Sequence, residues 1–305
     1  MEASQYLLAL AKNKIQAYTS HPKAKAAMVT GSTATGQADV YSDVEMFIYY
    51  EQLPSIKQLQ LARQQNNGSE PIRILGNYDE GFWGEFYFID EIEFQIGNVT
   101  IEFWERDMAT VLQKLDVTSP AQKALSGMLD CIPLYGEELI QKWKNQIANY
   151  PPALSKAMVA KYLNFFPIWA VQERLTTRDT TLFLHQIRLE IGQNILGILA
   201  GLNRLYYSTF QFKRMKQFIE QMNIAPKNLY ARLESLYHQE PLAVASQLKE
   251  LVAETVELVE LHLPEIDTSK ARRSLDRQPR IWKPVTENKQ CPNKILTPIL
   301  NPGIN

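Results

Sequence analysis

Apolar residues recur along this chain with two different periods, and the change of period divides it. Tyr6, Leu7, Leu10 and Ile15 stand at helical spacing in the opening residues, which predicts an amphipathic helix starting near Ser4. The short apolar run AAMVT then predicts a strand, and a second strand follows Asp43. PSIKQLQLARQQNN reads as a helix that Gly68 ends in a loop. GEFYFIDEIEFQI and VTIEFW are rich in β-branched and aromatic residues, and Gly97-Asn98 between them predicts a tight hairpin turn. That register places Val99, Ile101 and Phe103 on one face of the sheet and Thr100, Glu102 and Trp104 on the other.

Beyond residue 107 the period becomes helical, with Asp107 and Ser119-Pro120 as predicted helix starts. Stretches 153–175, 181–205, 211–222 and 241–263 carry apolar stripes, which predicts a helical bundle. The expected fold class is therefore α+β: a mixed sheet flanked by helices over 1–140, an all-α bundle over 150–265, and an extended tail over 266–305. The tail carries five prolines and little apolar period. No internal repeat is present.

Composition narrows the function classes. At 305 residues with 45% hydrophobic content, the chain can bury a large core. A net charge of −1 gives no global field to attract nucleic acid or an anionic membrane. The tail from Ile266 has eight Lys/Arg against three Asp/Glu, so a body of opposite sign must meet any polyanionic ligand with local groups. Lys270, Arg272 and Arg273 read as a solvated face. Cys131 and Cys291 stand alone, which argues against a disulfide framework or a thiolate metal site, and the four histidines lack ligand spacing. The opening residues have neither a basic leader nor a long apolar run, so a cytoplasmic protein without a membrane span is expected.

The chemistry concentrates in VTGSTATGQADVYSDVEMFIYY. Asp43 and Glu45 are two apart in a strand, so both carboxylates project from one face, and a divalent cation such as Mg²⁺ would relieve their repulsion. Gly31-Ser32 lets backbone N–H groups approach a phosphate closely, and a helix starting at Thr33 would aim its positive end there. Glu102, on the expected neighbouring strand, would complete an acidic triad, with Glu93 as its competitor. The aromatic group Phe82, Trp83, Phe86, Tyr87 and Phe88 reads as sheet core before it reads as a substrate cleft.

Gly31-Ser32, then Asp43-Val44-Glu45 eleven residues on, then an acid in a later strand, resembles the polymerase-β-type nucleotidyltransferase superfamily. YSDVEM is similar to the matching stretch of the kanamycin nucleotidyltransferases and their antibiotic-modifying relatives. CIPLYGEELIQKWKNQIANYP resembles the segment that leads these enzymes into their helical domain, AGLNRLYYSTFQFKRMKQFIEQM resembles the helical part of the wider bacterial group of uncharacterised members, and the resemblance spans most of residues 20–262.

The resemblance implies transfer of a nucleoside monophosphate from an NTP, expected to be ATP, to a hydroxyl of a small-molecule acceptor such as an aminoglycoside-like compound, with pyrophosphate released. It implies Gly31, Ser32 and Thr33 on the phosphates, Asp43, Glu45 and Glu102 as ligands of two Mg²⁺ ions, and Lys213 on the nucleotide. Relatives often carry Arg where this chain has Thr35. For the base and lysine of the helical half, Lys161, Glu173, Arg188, Glu190 and Lys213 are the candidates. A homodimer is left open, and nucleic acid is not an expected partner. The rival readings are a binding or antitoxin-like module that keeps the fold without turnover, and nucleotidyl transfer to protein or RNA.

Overall fold

The computed structural model describes residues 2–171, 175, 179–239 and 241–276. Six strands form one mixed sheet: β1 (Ala24–Thr30), β2 (Val44–Tyr50), β3 (Arg73–Leu75), β4 (Phe82–Ile89), β5 (Ile92–Thr100) and β6 (Ile132–Tyr135), in spatial order β3-β4-β5-β2-β1-β6. The β2–β5 pair is parallel and all others are antiparallel. Alternation along the strands separates two cores. Val29, Val44, Met46, Ile48, Phe94 and Ile96 pack beneath helices Ala3–Lys14 and Ile56–Gln65. The opposite face presents Met28, Tyr49 and Val99 to Trp104 and Trp143, and this second core continues without a break into the helical half. Together these elements make an α+β fold with an attached helical region.

One buried ion pair is set into the first core. Arg63 donates from Nη1 to Glu85 Oε1 at 2.9 Å and from Nη2 to the exposed Glu70 at 3.1 Å. Arg63 and Glu85 are each only 2% exposed, so each charge depends on the other for compensation.

The expected hairpin is misplaced by seven residues, with consequences for the site. The chain reverses at Asp90-Glu91, where φ is 47° and 67°, and Ile89 pairs with Ile92. That left-handed pair is what a two-residue hairpin turn requires, here built without glycine. Gly97-Asn98 lies inside β5 instead. A Cβ on Gly97 would stand 2.5 Å from the Phe47 ring, and the fully buried Asn98 accepts from the Tyr50 hydroxyl at 3.2 Å and donates to the Trp83 carbonyl at 3.3 Å. Glycine here serves close packing rather than a turn.

Because β5 ends at Thr100, VTIEFW does not continue as a strand. The Thr100 hydroxyl accepts from the Phe103 N–H at 3.1 Å and caps a helix over Ile101–Leu112. Asp107, expected to start a helix, lies inside this one, and Glu102 sits exposed in its first turn.

The helical half begins at Pro152. The stretch expected as a single helix over 153–175 is Pro152–Tyr162, then a break, then a short turn Ile168–Ala170 after Pro167. Proline cannot donate to the preceding turn and disfavours a helical residue before it, which explains the break. Thr181–Leu202 and Pro241–His262 form the long helices at 181–205 and 241–263. A helix over Leu229–Ser235 has no counterpart in the sequence reading.

The tail is not extended throughout. Residues Ser269–Asp276 form a helix that buries Ala271 and Leu275, one turn apart, in the second core. Arg272 forks onto Glu260, with Nε–Oε1 at 3.0 Å and Nη2–Oε2 at 2.6 Å, and holds that carboxyl down at about 2. Residues 277–305 of the expected tail lie outside the described residues.

Candidate functional site

The site forms where β1 and β2 converge at one end of the sheet. Thr30 is the cross-strand partner of Glu45, and β1 leaves the sheet through Gly31 at φ 69°. A side chain there would be strained and would collide: a Cβ would stand 2.0 Å from Glu45 Oε2. The Glu45 carboxylate therefore rests in the space that glycine leaves.

Residues Gly31–Thr35 make one helical turn, beginning two residues before the expected start at Thr33. So short a segment sums few peptide dipoles, so the macrodipole invoked for phosphate binding is not available. Thr33 is buried, and its hydroxyl donates to the Asp43 carbonyl at 3.3 Å. It ties the turn to the start of β2 rather than facing a ligand. Ser32 stays partly exposed at the turn, and the Thr35 hydroxyl is engaged with the Gly31 carbonyl at 3.2 Å.

Asp43 and Glu45 share the sheet face that meets the helical half, as strand alternation requires. Burial pushes the Glu45 carboxyl above its ordinary 4.5; Lys123 pulls it down, Asp43 pushes it up and Lys213 pulls it down. Two lysines from distant segments thus act electrostatically on this carboxylate. Lys123 stands in the first turn of helix Ala121–Asp130, and Lys213 stands in the short 3₁₀ segment Thr209–Arg214. Their Nζ atoms lie 4.3 Å and 5.7 Å from the centroid of the Phe210 ring, which is 55% exposed. Arg214 secures this segment to the loop after the glycine turn, donating to the Gln37 side chain at 2.7 Å and to its carbonyl at 3.2 Å.

The third acid is not where the sequence reading places it. In the parallel β2–β5 register Glu45 faces Gln95 and Tyr50 faces Thr100. Glu102 therefore lies in the first turn of a helix beyond the far end of that pairing, and that end is already about 17 Å along the strand from Glu45 at roughly 3.3 Å per residue. Gln95 occupies the cross-strand position, and its amide donates to Asp43 Oδ2 in a short bond and to Glu93 Oε1 at 3.1 Å. Of the two competing acids, Glu93 is the one joined to Asp43, through this amide.

The remaining candidates divide. Lys213 reaches the site; Arg188 is buried in helix Thr181–Leu202 and acts on Tyr237; Lys161 is exposed on helix Pro152–Tyr162; Glu190 lies on the same helix as Arg188. Glu173 lies outside the described residues. Sequence reasoning missed Lys123 and Phe210, and only the Ser119-Pro120 helix start hinted that Lys123 would project from a fixed position. The aromatic group of β4 is divided too, with Tyr87 fully buried and Phe88 39% exposed.

Among the described residues, no group of three or more His, Cys, Asp and Glu is arranged to hold a metal ion. Asp43 and Glu45 offer two hard oxygen donors on one face, a set that suits one Mg²⁺ completed by phosphate and water. No helix among the described residues is long and apolar enough to cross a membrane.

No protein-family model matches the chain. No curated protein matches it either. Among solved structures, a nucleotidyltransferase-like protein from Exiguobacterium sibiricum aligns over 85% of this chain and 80% of that chain, with a TM-score of 0.34 and 11% identity. So loose a likeness carries no functional argument, which rests on the residues above.

Proposed function

We propose that this chain binds the triphosphate of an NTP at Asp43, Glu45, Ser32, Lys123 and Lys213, and transfers its nucleoside monophosphate to a hydroxyl of a small-molecule acceptor. The observation that carries the reading is that two lysines meet at the Phe210 ring and act electrostatically on a carboxylate seated against a left-handed glycine and beside a second carboxylate. Two carboxylates alone repel a polyphosphate, and two ammonium groups alone would attract any anion. Together they suit a polyanion that arrives with a divalent cation.

Asp43 and Glu45 would hold one Mg²⁺, which when bound supplies charge neutralisation for the phosphates and polarises the α-phosphoryl group. Lys123 and Lys213 would hold the phosphoryl oxygens and steady the charge that grows on the leaving group. In the transfer, the acceptor oxygen bonds to the α-phosphorus while the bond from that phosphorus to the β-phosphate oxygen breaks. Pyrophosphate leaves, and the hydroxyl proton passes to a carboxylate of the cluster. ATP as the donor and an aminoglycoside-like acceptor follow the resemblance of Gly31-Ser32 and Asp43-Val44-Glu45 to the nucleotidyltransferases.

The test is pyrophosphate release from ATP, GTP and CTP across aminoglycosides and lincosamides. The reading expects release with at least one acceptor and its loss in Asp43→Asn. A second reading, nucleotide binding without turnover, is favoured by Gln95, which places an amide rather than an acid opposite Glu45. In that case ATP binds with Mg²⁺ and no acceptor yields pyrophosphate.

A further inference from the structure

Two divalent cations about 3.5–4 Å apart would need more anionic oxygens than one carboxylate pair on a single strand supplies, so a neighbouring strand would have to contribute. The neighbour of β2 on the relevant side is β5, and its residue opposite Glu45 is Gln95. A carboxylate at position 95 would stand directly across from Glu45, beside the Asp43–Glu45 pair. The chain carries an amide there.

That amide is engaged rather than idle. Its nitrogen donates to Asp43 Oδ2 and, at 3.1 Å, to Glu93 Oε1. Glu93 and Gln95 alternate onto the same face of β5 as Asp43 and Glu45 do on β2, so these four side chains form one patch. Two acceptor carboxylates can share a single side chain only through its NH₂ end, which fixes the orientation of the amide. The NH₂ group carries partial positive charge into the space between two acids. It meets there the requirement that a cation would meet, with no ion bound.

We infer that Gln95 stands in for a second cation, so the chain binds one divalent ion rather than the two that its resemblance to nucleotidyltransferases implies. The inference rests on the nucleotide-site reading for the first ion. The second ion is excluded by Gln95 alone, because its amide ties up Asp43 Oδ2 and supplies no anionic oxygen. A single change at position 95 is then sufficient to alter the ion count, and position 93 is already prepared with an acid.

The experiment counts Mn²⁺ per chain by electron paramagnetic resonance on the full-length protein, with Mn²⁺ alone and with a non-hydrolysable ATP analogue whose binding is measured separately. Wild type is expected to bind one Mn²⁺ in both conditions, and Gln95→Glu to bind two. In EDTA that variant should melt below wild type, because it places a third carboxylate beside Asp43 and Glu93, and Mn²⁺ should raise its melting temperature more than it raises that of wild type.

Two Mn²⁺ in wild type would overturn the inference, as would one in a folded Gln95→Glu chain. Should the variant not fold, the wild-type count decides alone. Analogue bound with a wrong ion count refutes the role of Gln95 and leaves the nucleotide site standing. One Mn²⁺ with no analogue bound supports the ion count and removes the nucleotide reading.

Discussion

Gly31→Ala isolates the contact on which the site is built. Gly31 holds φ 69°, and a Cβ there would stand 2.0 Å from Glu45 Oε2. Two effects follow, and they separate experimentally. The left-handed backbone with a side chain costs roughly 1–2 kcal/mol, which for a chain of this size lowers the melting temperature by a few degrees. The Glu45 carboxylate must also retreat by more than about 1 Å to reach ordinary contact distance, which carries it away from Asp43.

Gly36→Ala supplies the control, because Gly36 has φ 74° but nothing within 4 Å of its Cβ position. Both variants should lose similar stability. Only Gly31→Ala should also lose ATP affinity, by tenfold or more, in a calorimetric titration with excess Mg²⁺. Equal ATP affinity in Gly31→Ala and Gly36→Ala would refute the proposal that the Glu45 carboxylate, held in the space at Gly31, takes part in binding.

Further expectations concern charge and packing. Lys123→Ala and Lys213→Ala should each weaken ATP binding about tenfold, roughly 1.4 kcal/mol, measured by the same titration. Glu45 is held above its ordinary 4.5 by burial, so the native chain binds its proton more tightly than the unfolded one and stability falls as pH rises from that value through the folded one. Without nucleotide or cation, Glu45→Gln should therefore raise the melting temperature at pH 7, and the gain should vanish below about pH 4.5; a gain that persists in acid would contradict burial as its cause. Arg63→Ala leaves Glu85 buried and uncompensated and should cost about 3–5 kcal/mol in denaturant unfolding, whereas an apolar replacement of both partners should recover most of it. Leu275→Ala should cost about 2–3 kcal/mol, since the side chain is 4% exposed in the second core; a neutral result would return Ser269–Asp276 to the status of a dispensable tail.

Local chemistry explains which parts of this fold were legible in the sequence. Asp43 and Glu45 follow a glycine turn and alternate with Val44, Met46 and Ile48, so their shared face could be read directly. Glu102 could not be placed in the same way. Val99, Ile101, Phe103 and Trp104 have strand propensity, while the helix start at Thr100 depends on a single hydroxyl cap. The true turn uses Asp90 and Glu91 in left-handed conformations, and Gly97-Asn98 imitates a turn from inside a strand. The helix Ser269–Asp276 was hidden because only the apolar residues Ala271 and Leu275 mark its buried side. Lys123 acts on Glu45 from about eighty residues away in sequence, and no spacing rule predicts such a pairing.

The most direct test of the nucleotide site is calorimetric titration of the full-length chain with ATP, in excess Mg²⁺ and in EDTA, for wild type and Asp43→Asn. The account predicts wild-type binding that depends on Mg²⁺, and loss of that dependence in Asp43→Asn while its melting temperature in EDTA stays at or above wild type. Equal wild-type affinity in Mg²⁺ and EDTA, or an Asp43→Asn chain that binds ATP as wild type does, would contradict it.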